Sequence, residues 1–302
     1  MRRRSANALL LLAGAVWGMG FVAQAEAMES VGPFLFVAAR FVVASLLVLP
    51  LARREARTAR ARGERSLAAR EIVRFSLIGL ALFGGMATQQ VGLLTTSVTH
   101  SGFLTGLYVV FTPLIGIALF RQWPHVVIWP AAALALVGIA LLSGGGGGLR
   151  TGDLLTIASA VFWALQVVLI ARFVGESGRP FALVLVQFAV TASCAAGVAL
   201  VREPIALAAV REAAPSILYA GLFASGLAFT LQAVAQRFTT APQAAIFLAS
   251  EAPFAALFGR LFGGDRIAAP GLAGCALILA AMLIVELVPM LVERRRLPPR
   301  DA

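Results

Sequence analysis

Lysine is absent from this sequence, cysteine and histidine occur twice each, and charged residues make up only 13% of the chain. Without lysine there is no Walker A motif and no Schiff-base lysine, so the chain is not itself a P-loop ATPase. Cys194 and Cys275 stand alone in separate apolar runs, which excludes a disulfide framework and a cysteine metal pair.

Catalytic signatures are missing as well. The sequence contains no H-E-x-x-H and no G-x-S-x-G motif, and its apolar runs hold no pair of acids and no nucleophile beside a base. The glycines at 144–148 follow no strand pattern, which indicates a flexible linker rather than a phosphate loop. We therefore expect no enzymatic activity, no metal and no cofactor.

Hydrophobic residues, by contrast, make up 60% of the chain, well above the ~45–50% of soluble domains. They form runs of about 20 residues, the length that crosses a hydrocarbon core of ~30 Å. These runs predict an all-α membrane protein, surrounded by the lipid bilayer. The ten predicted transmembrane helices lie at 7–25, 33–52, 73–95, 101–120, 125–143, 154–172, 180–201, 215–234, 242–262 and 268–290.

The arginines predict the orientation of the chain. A net charge of +11 would suit a nucleic-acid partner, but most arginines lie in the short segments between apolar runs. With a cytoplasmic N-terminus, 19 of the 25 fall on the inner side and five on the outer side, which predicts that both termini are cytoplasmic. The basic segment 52–73 is either a positive-inside loop, with or without a short surface helix, or a contact for anionic lipids.

The two halves of the sequence resemble each other in order and spacing. The matched pairs are Trp17 with Trp163, Pro33 with Pro180, Arg40 with Gln187, Gly79 with Gly221, and Pro113 with Pro253. They predict two five-helix repeats at 1–143 and 154–290, joined by a linker at 144–153 and followed by a basic cytoplasmic tail at 291–302. Because five is odd, the second repeat must be inverted, an architecture that places transporter substrate sites near the membrane midplane.

Two ionisable residues lie inside predicted spans. A charge at the centre of a membrane helix costs ~2.5–3.5 kcal/mol on insertion scales, so Arg40 must face a partner or a cavity. It is either a structural cap or an anchor for an anionic substrate group. Glu251, two residues before Pro253, is either a packing carboxyl or a carboxylate that couples transport to protons or cations.

Uncharged polar and aromatic residues inside the spans complete the candidate site. Trp17 and Trp163 lie near the midplane although tryptophan favours the interface, and Gln166 shares a face with Trp163. The glutamines, Gln89 among them, and the tyrosine could equally serve helix packing. Besides Arg40, the predicted substrate-binding residues are Trp17, Gln90, Tyr108, Trp163, Gln166, Gln187 and Gln232, with Glu251 as the coupling residue.

Several short motifs, taken in order, resemble the EamA-like members of the drug/metabolite transporter superfamily. They are Ala15-Val16-Trp17-Gly18, Pro33 with Arg40, Gln90 and Gly92 followed by Phe103-Leu104-Thr105 through Pro113, Gly152-Asp153-Leu154-Leu155 with Trp163, and Glu251-Ala252-Pro253. The resemblance covers nearly the whole chain. It implies a ten-helix secondary transporter in an inner or plasma membrane that exports or exchanges metabolites, amino acids or drugs.

A secondary transporter, with proton coupling as one option, is thus the leading interpretation, and its partner is a small-molecule substrate. The alternatives are a membrane-embedded enzyme and a membrane sensor or assembly subunit without transport. The missing catalytic groups argue against the enzyme. The duplication argues against the sensor, because a transport cycle uses two inverted halves and a scaffold does not need them.

Overall fold

The computed structural model describes residues 3–96, 98–142, 151–262 and 268–296. Within these ranges the chain is all-helical. The α-helices are α1 Arg3–Ser30, α2 Pro33–Ala61, α3 Ala69–Leu93, α4 Val98–Thr105, α5 Tyr108–Phe120, α6 Ile128–Leu142, α7 Thr151–Ser177, α8 Pro180–Arg202, α9 Leu207–Glu212, α10 Ala214–Tyr219, α11 Ala228–Ala235, α12 Ala241–Leu248, α13 Glu251–Phe262 and α14 Ala269–Arg296. A π-helix, Ala220–Leu227, connects α10 to α11.

These helices fill the ten predicted spans. Within the described part of the chain, seven segments are long and apolar enough to cross a membrane, namely α2, α3, α7, α8, Ala214–Ala235, Ala241–Phe258 and Ala269–Pro289 of α14. The 28-residue α1 forms span 1, α4 with α5 forms span 4, and α6 forms span 5. Span 8 comprises α10, the π-helix and α11, and span 9 comprises α12 and α13.

Several predicted boundaries differ from the structure. The second helix continues nine residues beyond the predicted end at 52, and α7 begins at Thr151, inside the predicted linker. Spans 4 and 9 are each broken into two helices. The last helix runs to Arg296, so the first half of the predicted tail is helical. The rest of that tail, 297–302, and the linker residues 143–150 lie outside the described residues.

The packing of the spans repeats between the halves. Span 3 packs along span 6, and its counterpart, span 8, packs along span 1. Spans 4 and 9 pack against spans 6 and 1 in the same reciprocal way, while span 2 packs along span 7 and span 5 along span 10. A two-fold rotation that exchanges the halves accounts for every one of these contacts.

Matched glycines allow close approach at two further contacts, that of span 3 with span 7 and that of span 8 with span 2. A Cβ added at Gly79 would lie 2.9 Å from the carbonyl oxygen of Gln187, and one added at Gly221 would lie 3.0 Å from the carbonyl oxygen of Arg40. These four residues are two of the pairs that the sequence matched, Gly79 with Gly221 and Arg40 with Gln187. The structure therefore confirms the internal repeat at the level of single backbone contacts.

The pairing of α2 with α8 shows the inversion. Each helix begins with a proline, and each start is capped by a carboxylate from the end of the other helix. Glu203 accepts the amides of Phe34 at 2.9 Å and Leu35 at 2.8 Å, while Glu55 accepts the two amides that follow Pro180 at 3.2 and 2.9 Å. The two helices are therefore antiparallel, so the two-fold axis lies in the plane of the membrane.

Candidate functional site

A cavity lies between the two halves, about midway along the spans. The empty space of the cavity, including the part open to solvent, is about 560 Å³. Spans 1, 2, 3, 4, 6, 8 and 9 all contribute. The lining residues are Trp17, Gly20, Gln24, Arg40, Met86, Gln89, Thr105, Tyr108, Trp163, Gln166, Val167, Ala224, Phe229, Gln232, Leu248 and Glu251.

Arg40 is the cation of this cavity, and its partners are all uncharged. Its side chain is fully buried. Its Nε donates to Ser225 Oγ at 2.8 Å and its Nη1 to Gln24 Oε1 at 3.3 Å, with Met86 Sδ at 3.9 Å. Among the described residues, no carboxylate lies within 4.0 Å of the guanidinium. The protein therefore solvates this charge without neutralising it.

The π-helix of span 8 shapes the neighbourhood of Arg40. In its register the amide of Ala228 donates to the carbonyl of Phe223, five residues earlier, instead of to that of Ala224. The Ala224 carbonyl accepts the indole Nε1–H of Trp17 at 2.7 Å. Because Ser225 follows in the same π-helix, this irregular turn holds both Trp17 and Arg40. Such irregular turns are frequent at functional sites.

Aromatic rings form one wall of the cavity. Trp163 stacks on Phe229 with ring centroids 5.9 Å apart and planes 10° apart, and Trp17 meets Phe229 edge-on at 4.9 Å. The hydroxyl of the buried Tyr108 and the Nε1 of Trp163 have no hydrogen-bond partner among the described residues. Buried donors are normally paired, so these two groups are available to a ligand.

Glu251 lines the cavity where span 9 is broken. Helix α12 ends at Leu248 and α13 begins at Glu251, so the carboxylate stands at the start of a new helix. The break packs against Gly14 and Gly18 of α1, where an added Cβ would clash with Ser250 and with backbone atoms of Ala255. Within the described residues the Glu251 carboxylate makes no hydrogen bond or ion pair.

Three glutamines form a chain through the core beside the cavity. Gln232 Nε2 donates to Gln166 Oε1 at 3.1 Å, and Gln166 Nε2 lies 3.4 Å from Gln187 Oε1. Gln166 and Gln232 line the cavity, whereas Gln187 does not. Gln90 does not line it either, since its amide lies 3.4 Å from Met28 Sδ. In each bond between these glutamines the amide nitrogen is placed as the donor and the oxygen as the acceptor, as the hydrogen-bond network requires.

Seven of the nine predicted site residues thus meet in one cavity, and several others join them. The sequence did not predict Gln24, Met86 or Phe229 at the site, Thr105 belongs to the Phe103-Leu104-Thr105 motif without a predicted role, and Gln89 was predicted only as a polar residue of its span. Gln24 lies seven residues after Trp17 and therefore on the same face of α1, a signal that the sequence offered. Phe229 carries no such signal, because an apolar residue in an apolar run is unremarkable.

Comparison with known proteins agrees with this arrangement. The EamA-like transporter family matches residues 4–144 and 150–287 of the chain. The chain belongs to that family. This EamA-like protein is therefore a multi-pass, all-helical membrane transporter, which confirms the expectation of a transporter rather than an enzyme. The expected cytoplasmic position of both termini remains a prediction.

Two individual proteins are similar to this chain. An uncharacterised transporter of Archaeoglobus fulgidus is 28% identical over 293 residues, which cover 95% of this EamA-like chain and 87% of that protein. A solved crystal structure superposes with a TM-score of 0.77 at 20% identity, covering 97% of this chain and 100% of the other. At that identity the structural match shows the shared fold alone.

Proposed function

We propose that this protein is a secondary transporter, an exporter or exchanger, of small organic molecules that carry an anionic group. One observation supports this most directly. Arg40 is 1% exposed, lines the central cavity and has no carboxylate partner among the described residues. An anionic ligand would supply the neutralising, charge-assisted hydrogen bonds that the protein itself does not provide.

The other lining residues suit the remainder of such a ligand. The stacked rings of Trp163 and Phe229 offer an apolar, planar wall. Tyr108 Oη and Trp163 Nε1 offer hydrogen-bond donors, and Gln232 Oε1 is a buried acceptor without a partner among the described residues. A small metabolite, amino acid or drug with a carboxylate or phosphate at one end and an apolar body fits this combination.

Glu251 is the residue that we propose for coupling. Its carboxylate faces the same cavity as Arg40, and the two do not form an ion pair. A carboxylate without a fixed partner is free to bind a proton in one state of the cycle and release it in another. Movement of protons in one direction would then drive movement of the substrate in the other.

The inverted halves suit alternate opening of the site. At the end of the bundle that carries the chain termini, α12 packs against α5, α6 and α7. At the other end, α4 corresponds to α12 and α13 corresponds to α5. Among the described residues, α4 and α13 do not pack against each other as α12 and α5 do. If the termini are cytoplasmic, the cavity is closed to the cytoplasm and opens outward, and exchange of roles between the halves would open it inward.

A ligand screen tests the anionic substrate. Purified protein would be screened by thermal shift against carboxylates, phosphates and amino acids, each beside its neutral amide or ester. Hits would then be assayed in proteoliposomes with and without a pH gradient. Since a hydrogen bond to a charged group contributes ~1.5–3 kcal/mol, we expect Arg40→Gln to weaken binding of the anion by about ten- to a hundredfold at every pH.

The neutral analogues and a second arginine provide the controls. Arg202→Gln removes an exposed arginine at the end of α8, and we expect no effect on binding. Equal losses for anions and neutral analogues in Arg40→Gln, or no loss at all, would leave Arg40 as a structural residue.

A further inference from the structure

The second helix extends beyond the membrane core and changes character along one face. Within the span this face exposes Val42 and Leu46, whose exposed fractions are 49% and 64%. At intervals of three to seven residues, the same face continues as Arg53, Arg57 and Arg60, all exposed. Residues at such intervals stack on one side of a helix. The lipid-facing side of α2 therefore becomes a row of arginines, which we call the arginine stripe.

Several other arginines at this end of the bundle have acidic partners, whereas the arginine stripe has none among the described residues. Arg65 pairs with Glu71, Arg179 with Glu64, and both Arg74 and Arg172 with Glu176, at distances of 2.8–3.2 Å. Within the described residues, no ion pair involves a member of the stripe.

The acid nearest in sequence to the stripe is turned away from it. Glu55 points to the protein side of α2, where it caps α8. The buried alanines Ala52 and Ala59 mark that same protein side. The stripe thus faces outward from the bundle with its positive charge uncompensated.

We propose that the arginine stripe is a binding surface for anionic phospholipids. From Arg53 to Arg60 the helix rises about 10 Å, comparable with the ~5–8 Å headgroup layer of one leaflet together with the reach of an arginine side chain. A lipid whose chains pack on Val42 and Leu46 places its phosphate beside these guanidinium groups. Arginine binds phosphate through two parallel N–H donors, and a net negative headgroup adds long-range attraction.

The function of the stripe would be to hold one end of α2, the helix that carries Arg40 and exchanges caps with α8. Bound lipid at this position fixes the depth of α2 in the bilayer. Neither the anionic substrate nor the coupling role of Glu251 is needed for this inference, so it stands or fails separately from them.

Native mass spectrometry of the purified protein tests the proposal. Retention of phosphatidylglycerol would be compared with that of phosphatidylcholine of the same chains. The variant Arg53→Gln/Arg57→Gln/Arg60→Gln should lose about fivefold in preference for each arginine, on the order of a hundredfold together. The control Arg62→Gln/Arg65→Gln/Arg70→Gln removes the same charge from the neighbouring connection and the start of α3, and it should keep the preference within a few-fold.

Two further measurements cover the case in which the stripe variant does not insert into the membrane, and distinguish a lipid headgroup from a free phosphate as the ligand. Glycerol phosphate, which lacks chains, should not displace the lipid at millimolar concentration; displacement by it overturns the proposal. If the stripe variant does not insert, a photoreactive phosphatidylglycerol on the unmodified protein should cross-link mainly to segment 50–62. Even labelling around the bundle, equal losses in both triple variants, or an unchanged preference in the stripe variant would each overturn it.

Discussion

At the scale of single residues, Arg40 and Glu251 face one cavity without neutralising each other. The guanidinium is solvated by Ser225 and Gln24, and the carboxylate has no hydrogen-bond partner within the described residues. Removing one member of a buried ion pair is strongly destabilising, by about 3–5 kcal/mol. Because these two are not paired, each can be changed alone with a smaller effect on folding, so variants at either position report on function.

Replacing the carboxylate tests coupling. Glu251→Gln keeps size and hydrogen-bonding capacity but cannot titrate. We expect normal folding, substrate exchange close to that of the unmodified protein, and loss of uptake driven by a pH gradient, measured in proteoliposomes. Glu212→Gln, an exposed acid in α9, is the control and should retain gradient-driven uptake. Full gradient-driven uptake by Glu251→Gln would exclude this residue as the coupling group.

Replacing Ser225 tests how the π-helix orients Arg40. The Ser225 hydroxyl accepts a hydrogen bond from Arg40 Nε at 2.8 Å. A hydrogen bond to a charged group contributes ~1.5–3 kcal/mol, so its loss should leave the Arg40 side chain less firmly held. Ser225→Ala should raise the KM for an anionic substrate about tenfold, leave its maximal rate nearly unchanged, and reduce discrimination between the anion and its amide. Ser45→Ala, which removes a hydroxyl bonded within α2, should change none of these.

Residue-scale prediction from sequence works where a polar group interrupts an apolar run. Arg40, Glu251 and the two tryptophans stand out in this way and do line the cavity. The same criterion does not show which of two adjacent glutamines faces the cavity, because Gln89 and Gln90 are both polar and differ only by 100° of rotation about the helix axis. Gln89 lines the cavity and donates to Thr105 Oγ1 at 2.8 Å, while Gln90 points at Met28. Helix packing decides between them, and a single sequence does not contain it.

At the scale of elements, the reciprocal caps between α2 and α8 are a contact that joins the two halves. Pro33 and Pro180 mark the starts of both helices in the sequence, since proline favours the first helical turn. The sequence gives no sign that Glu203 and Glu55 reach those starts, because the acids lie more than 120 residues from their partners. Likewise, the sequence gives no sign that the break before Glu251 packs closely against Gly14 of α1.

Removal of the caps should destabilise the bundle by a measurable amount. Substitution of a capping side chain costs about 0.5–2 kcal/mol, so Glu203→Ala and Glu55→Ala should each lower the melting temperature in detergent. The caps lie about 30 Å apart along α2, and their effects should therefore add in the double variant. Thermal unfolding followed by tryptophan fluorescence provides the measurement.

An acid without such a partner is the control for the caps. Glu212→Ala, in the exposed α9, should leave the melting temperature unchanged. If Glu203→Ala and Glu55→Ala behave like Glu212→Ala, the two carboxylates do not stabilise the helix starts.

At the scale of the whole molecule, apolar run length and the duplication together predicted the all-helical membrane fold and the two-fold repeat. Both are properties of the chain as a whole, and they survive errors of several residues at single boundaries. The nine-residue extension of α2 was not predicted, because charged residues end an apolar run without ending a helix. The assembled cavity was predicted only in outline, since it needs seven spans placed in three dimensions.

Orientation is the whole-molecule property that remains to be measured. The 19 arginines on one side against five on the other predict cytoplasmic termini. A reporter fused after Ala302 should be cytoplasmic, and one inserted within 144–148 should lie on the opposite side of the membrane. Reporter activity in the same compartment at both sites would contradict ten crossings.

The doubly capped pair of α2 and α8 restricts how this molecule can move. Sliding one helix along the other by a single turn, 5.4 Å, would break the caps at Glu203 and Glu55 together, whereas a small change in crossing angle keeps both amide–carboxylate contacts in reach. A piston-like stroke is therefore disfavoured. We expect the pair to act as a pivot about which the remaining spans of each half tilt.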